Sequence, residues 1–306
     1  MSEPKPPFAE WLRGHVFTAT DLENYQLCPY RFYAAAYLGL RPEDPFEVEL
    51  KPAEIGSLAH RVLDRLLRGD ATREKVAAFL EEELKKIQEP RPHLSKPLLE
   101  LQRVRLARML EGFVGDLERE NAEDPAWKPR FFEWEFGGLS APLVLKDADG
   151  LPVPFRGRVD RIDVNEAKKL FLVIDYKTGS SKITGNQVKS GEALQLPIYL
   201  LAAGELLLKG YEPAGAVYHQ LSDMSKKDGL LHGERLPSFL GVGPRSSSLV
   251  AASKWDGVLD VLREKIGRIV SDIRRTPEEG FVSREEPCDV FCPYQDICLL
   301  RSTCGH

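Results

Sequence analysis

Apolar positions in the first third of the chain fall at helical intervals. Ile55, Leu58, Ala59, Val62, Leu63, Leu66 and Leu67 form one stripe at steps of three and four, which predicts an amphipathic helix ended by Gly69 and Asp70. Gly56, His60 and Asp64 fall on a separate stripe of that helix, four apart. Two more helical patterns follow, from about Ala71 to Lys86 and from about Leu94 to Glu120. Upstream, Thr18, Thr20 and Asp21 offer caps to a short helix. Pro29 suits the first turn of another, running to about Leu38 and stopped by Gly39. Residues 1–17 read as a flexible tail.

From Arg130 the period changes to two. Strands are expected from Phe131 to Phe136, from Ala141 to Lys146, from Pro152 to Val164 as one long strand, and from Leu170 to Tyr176. Asn165 to Lys169 reads as a hairpin connection. Glu192 to Lys209 reads as a helix, Gly215 to Leu221 as a strand, and Lys254 to Arg275 as a helix. The expectation is an α/β fold: a central mixed sheet flanked by helices, with a helical and cysteine-rich periphery. Residues 18–306 form one domain in this reading. It divides into a helical region (41–125), an α/β core (130–221), a polar loop or insertion (222–250) and a C-terminal helix with a cysteine-rich segment (254–306).

Composition narrows the class. Of 306 residues, 42% are hydrophobic and 29% charged, as in ordinary soluble domains. No apolar run is long enough to span a bilayer, and the start of the chain lacks an apolar signal segment, so no membrane contact and a cytoplasmic location are expected. The net charge of −5 argues against a protein that coats nucleic acid without regard to sequence. A metal site needs carboxylates, however, and these lower the total. Arg31, Lys182, Lys189, Lys226 and Lys227 are candidate phosphate contacts. There is no Walker A sequence, so the chain is not expected to hydrolyse ATP.

The chemistry concentrates in Gly157-Arg-Val-Asp-Arg-Ile-Asp163 and Val173-Ile-Asp-Tyr-Lys-Thr-Gly179. On a strand, Asp175 and Lys177 point the same way and Tyr176 the other. A hairpin can bring Asp160 beside Asp175. Two neighbouring carboxylates repel unless a cation sits between them. Oxygen ligands of this kind suit Mg²⁺ or Mn²⁺, and a lysine alongside can orient an attacking water and offset phosphate charge.

Five cysteines are present, Cys28, Cys288, Cys292, Cys298 and Cys304, four of them near the C-terminus. Such clustering points to metal binding, by zinc or an iron–sulfur cluster, more than to disulfides.

Taken in order, these segments resemble the RecB/AddB-type branch of the PD-(D/E)XK nuclease superfamily, which implies a restriction-endonuclease-like core. Gly56-Ser-Leu-Ala-His60 resembles its Gly-x-x-x-His motif, implying His60 as a metal ligand. Gly157 to Asp163 resembles Gly-x-x-Asp-Arg-Ile-Asp, implying Asp160 as a ligand. Asp175-Tyr176-Lys177 resembles the catalytic Asp-x-Lys, with the Tyr176 carbonyl as an extra ligand. Gln195-Leu-Pro-Ile-Tyr199 resembles Gln-x-x-x-Tyr, with both side chains on one helix face. Glu133-Trp-Glu-Phe-Gly137 matches a further strand motif, to which only a minor role is given. The run from Leu27 to Tyr33 resembles the segment that supplies the first cluster cysteine. The resemblance implies Cys28, Cys288, Cys292 and Cys298 as ligands of a [4Fe–4S] cluster. Structural zinc is the alternative metal, and Cys304 the alternative to Cys288. It also implies DNA as substrate, exonucleolytic or single-strand-directed cutting in repair, recombination or defence, and a helicase subunit in trans. The second reading is a DNA-binding or assembly module with little catalysis.

Overall fold

The computed structural model describes residues 6–41, 48–69, 71–179, 182–276, 280–281, 292–294 and 297–298. The chain opens with helices α1 (Phe8–Gly14), α2 (Ala19–Leu27) and α3 (Pro29–Phe32), the last continuing as a π-helical turn over Tyr33–Leu38. Gly39 ends that turn with φ 68°, the left-handed value glycine tolerates. Residues 1–17 are thus not all tail. Phe8 and Leu12, four apart and so on one helix face, are buried, and Phe8 meets Tyr37 and Phe281 edge-on. The Pro-rich start hides a helix of only seven residues.

Helices α4 (Pro52–Arg68), α5 (Arg73–Gln88) and α6 (Lys96–Glu123) follow as the apolar stripes predict. Pro52 sits in the first turn of α4, and Glu54 accepts from Lys51 N at 3.0 Å, satisfying an end that would otherwise lack partners. Next come strands β1 (Lys128–Phe136), β2 (Leu143–Lys146), β3 (Pro152–Phe155), β4 (Gly157–Asn165) and β5 (Leu170–Lys177). The chain continues through α7 (Gly185–Ser190), α8 (Gln195–Ala202), β6 (Glu212–Gln220), β7 (Ser225–His232), β8 (Leu249–Val250) and α9 (Trp255–Arg275).

The main sheet has the order β1-β4-β5-β6-β7-β8. The pairs β5–β6 and β7–β8 are parallel and the others antiparallel, so the sheet is mixed. Alternation along β5 feeds two cores. Phe171 and Val173 face one with α1, α2, α8 and α9, while Leu172, Ile174 and Tyr176 face the other with α4, α5 and α6. Helices cover both faces, as the α/β expectation requires. Among the described residues no helix is long and apolar enough to cross a membrane.

Three expectations are corrected here. The stretch from Pro152 to Val164 is two strands in different sheets. Pro152 and Pro154 have no N–H to donate, and β3 instead pairs with β2 in a separate hairpin. Phe17 closes the break, donating to Pro154 O at 2.9 Å and accepting from Arg156 N at 2.8 Å. The segment 222–250 is not simply a loop, because it supplies β7 and β8. Its Ser, Lys and Gly content masks a strand whose polar residues are paired or exposed. The helix expected from Glu192 to Lys209 breaks up: Glu192 lies after α7 and its closing Gly191, and α8 passes into a π-helical turn over Ala203–Leu207.

Candidate active site

Three acidic residues line up on three neighbouring strands. The β4–β5 ladder places Arg161 opposite Ile174, so one step further sets Asp160 opposite Asp175. Between β1 and β4, Phe132 pairs with Arg161 and Trp134 with Val159, which sets Glu133 beside Asp160. Glu133 has φ 48°, left-handed backbone that a residue with a Cβ rarely adopts. Phe131, Trp134 and Phe136 all pack against the same core, an odd step between Phe131 and Trp134 that strict alternation forbids. The left-handed backbone at Glu133, inside β1, lies within that step.

His60 completes the cluster from α4. Its Nδ1 lies 3.3 Å from Asp160 Oδ1 and 3.7 Å from Glu133 Oε1. One ligand atom each from His60, Glu133 and Asp160 lies within 4.8 Å of the others, a donor set suited to a divalent cation. The other Asp160 oxygen accepts from Tyr176 N at 2.8 Å, and the second Glu133 oxygen lies 2.8 Å from Arg158 Nε. Gly56 brings α4 close: a Cβ there would stand 3.3 Å from Thr178 Oγ1 at the end of β5.

Asp175 and Lys177 form the other half. Lys177 Nζ is 2.6 Å from Asp175 Oδ2 and donates to Gln195 Oε1 at 2.9 Å. Gln195 Nε2 donates to Asp175 Oδ1 at 2.7 Å and to the Tyr199 hydroxyl at 3.4 Å. One amide thus holds both ends of the Asp-x-Lys pair. Gly157 leaves room for Tyr199, since a Cβ would come within 2.8 Å of its ring and 2.9 Å of Phe136.

The electrostatics record a concentration of negative charge. Burial first, and then the charge of Asp160, push the Asp175 carboxyl up to about 7 despite Lys177. Burial alone would lower the His60 imidazole, yet Asp160 and Glu133, with the charge of Asp175, raise it to about 10. Burial raises the Tyr199 phenol to about 12. A divalent cation would reverse the first two shifts by supplying the positive charge this cluster calls for.

His60, Asp160, Asp175, Tyr176, Lys177, Gln195 and Tyr199 therefore border one cleft of about 770 Å³. Glu133 belongs with them and was given only a minor role from sequence. Its sequence signal is the strand motif from Glu133 to Gly137; the register that seats it beside Asp160 is invisible until the strands are paired. Lys226, read as a phosphate contact, is buried. It pairs with Asp116 and lies 2.6 Å from Glu120 Oε1, beneath the sheet. Lys182 lies 2.9 Å from Asp223.

A model of the PD-(D/E)XK nuclease superfamily matches residues 16–299. The chain belongs to that superfamily. This superfamily member is similar to curated relatives named as subunits of an ATP-dependent helicase/deoxyribonuclease. One from Moorella thermoacetica is 31% identical over 222 residues, covering 65% of this chain and 19% of the relative. Another from Clostridium acetobutylicum is 26% identical over 349 residues, covering 92% and 29%. A third from Thermoanaerobacter sp. is 24% identical over 350 residues, covering 94% and 30%. The chain thus spans less than a third of the length of these relatives.

A second group of candidate residues lies apart from the cleft. Cys28 joins α2 to α3, while Cys292 and Cys298 lie on the C-terminal segment; all three are free thiols, partly buried. Tyr30 OH donates to Ile297 O at 3.2 Å, and Tyr294 OH to Leu40 O at 3.1 Å. Burial pushes the Tyr30 phenol up. Among the described residues the sulfurs of Cys28, Cys292 and Cys298 do not all lie within 4.8 Å of one another. Cys288 and Cys304 lie outside the described residues.

Proposed function

We propose that this chain is a nuclease module that hydrolyses DNA phosphodiester bonds, with Mg²⁺ or Mn²⁺ held by His60, Glu133, Asp160 and Asp175. The Tyr176 carbonyl is a further ligand in this reading. The observation that carries it is the convergence of an imidazole and three carboxylates beside a lysine fixed by Gln195. A bound cation would polarise a phosphate oxygen and make a coordinated water a nucleophile near neutral pH. Lys177 orients the attacking water and offsets charge on the phosphate, its ammonium aimed by Asp175 and Gln195. Gln195 keeps that ammonium and the Asp175 carboxylate in register. Tyr199 supports Gln195 from the same helix. Arg61 and Arg158, which border the cleft, meet the flanking phosphates.

Exonucleolytic or single-strand-directed cutting with a helicase in trans, in repair, recombination or defence, is the finer reading. The relatives' description as helicase/deoxyribonuclease subunits supports DNA as the substrate and a helicase as the partner. We further propose that Cys28, Cys288, Cys292 and Cys298 hold a [4Fe–4S] cluster, with zinc as the alternative metal and Cys304 as the alternative to Cys288. The packing of the C-terminal segment against Tyr30 and Leu40 supports such a staple, which would tie distant parts of the chain and restrict the unfolded state.

The test is cleavage of end-labelled single- and double-stranded DNA with each metal. The expected result is metal-dependent release of labelled products, abolished by Asp175→Ala or Lys177→Ala in variants that still melt cooperatively. A non-catalytic DNA-binding or assembly module would instead bind DNA and leave it intact with either metal.

A further inference from the structure

Helix α8, which carries Gln195, starts without a cap of its own. Leu194 occupies the position usually filled by Ser, Thr, Asp or Asn, and its side chain accepts no hydrogen bond. The first N–H groups of a helix still need acceptors. A carboxylate on α2 supplies one. Glu23 Oε1 accepts from Leu194 N at 2.8 Å and from Gln195 N at 3.3 Å. The same helix holds the preceding turn, where Gln26 Nε2 donates to Gly191 O at 2.8 Å. The α2 helix is itself well anchored. Thr18 and Asp21 cap it reciprocally, and Leu22 is fully buried.

The placement of Gln195 demands such an anchor. Its amide accepts from Lys177 through one atom and donates to Asp175 through the other, so only one orientation serves both. A shift of the residue would loosen the ammonium and the carboxylate together. Misplacement of a reacting group by about 1 Å can lower turnover by about a hundredfold.

We propose that Glu23 is a positioning residue for the reaction, capping α8 so that Gln195 meets Lys177 and Asp175 in the geometry described. Glu23 touches none of the reacting groups and acts through the backbone of Leu194 and Gln195. A carboxylate suits the positive end of a helix dipole. Burial raises the Glu23 carboxyl, while the two N–H donors and then the charge of Lys177 work against that rise. The effect on turnover rests on the nuclease reading above, whereas the tie between α2 and α8 does not.

The experiment compares Glu23→Ala and Glu23→Gln with the unaltered chain. It measures kcat and KM on single-stranded DNA with Mg²⁺, melting, and backbone hydrogen exchange across residues 191–199. Glu23→Ala is expected to lower kcat by about tenfold to a hundredfold, with KM changed by about twofold or less, and to speed exchange in that segment. Glu23→Gln keeps a side-chain oxygen acceptor and is expected to restore most of the turnover and the slow exchange. Full turnover and slow exchange in Glu23→Ala would overturn the proposal. So would loss of turnover that merely tracks the unfolded fraction. If the unaltered chain cuts no DNA, the nuclease reading fails, and the exchange result alone decides whether Glu23 secures α8.

Discussion

Glu133 stands beside Asp160 across the β1–β4 ladder, and both lie within reach of His60 Nδ1. Glu133 reaches that position on left-handed backbone, a conformation that persists where surroundings over-determine it and that clusters at functional sites. Glu133→Ala should weaken Mn²⁺ binding at least about tenfold, as measured by calorimetric titration. Glu133→Gly should bind as poorly yet be about 1 kcal/mol more stable than Glu133→Ala without metal, since glycine tolerates φ 48°. Equal stability of the two variants would show that the backbone at this position is unstrained.

The pH dependence of the metal-free protein has a definite sign. Asp175 binds its proton more tightly when folded, with its pKa near 7 against an ordinary 3.8. Its stabilising contribution is complete below about pH 4 and is lost as pH rises through 7. His60, raised from 6.5 to about 10, continues the same downward trend at higher pH. The melting temperature without metal should therefore fall between pH 5 and pH 7, and Asp175→Asn should flatten that fall. Excess Mn²⁺ should also flatten it by binding the deprotonated, folded site.

Arg161 offers a test of the support beneath the site. It is 1% exposed, lies 2.6 Å from Asp163 through Nε, and donates to Glu120 at 2.7 Å. Arg161→Ala would leave two carboxylates buried without their guanidinium. It should destabilise the fold by about 3–5 kcal/mol in urea unfolding. Arg161→Lys should restore little of that, because an ammonium cannot reproduce the two-pronged contact with Asp163.

Gly157 tests the packing of the cleft wall. A methyl group there would overlap the rings of Tyr199 and Phe136. Gly157→Ala should destabilise by about 1–3 kcal/mol and lower DNA cleavage by more than the folded fraction explains. Activity that follows the folded fraction would mean that Tyr199 has no part in setting Gln195.

Motifs that concentrate chemistry in a few residues were legible without coordinates. Asp160, Asp175 and Lys177 stand out by strand spacing, and His60, Gln195 and Tyr199 by the family motifs their segments resemble; all six border one cleft. Residues whose role depends on pairing do not. Glu133 sits in a family strand motif, but only register puts it beside Asp160, and Glu23 looks like a helix surface charge until α8 lands on it. Lys226 looks solvent-exposed because its partners Asp116 and Glu120 are distant in sequence, on α6. The short α1 and the polar β7 escape notice because seven residues, or a strand carrying Ser, Lys and Asp, give too little periodic signal.

The proposed function places divalent metal among His60, Glu133, Asp160 and Asp175. Anomalous diffraction from crystals soaked in Mn²⁺ measures this directly. A single strong peak, or a close pair, is expected within bonding distance of those side chains and beside Lys177. Absence of such a peak at saturating Mn²⁺, or a peak held by other residues, would contradict it.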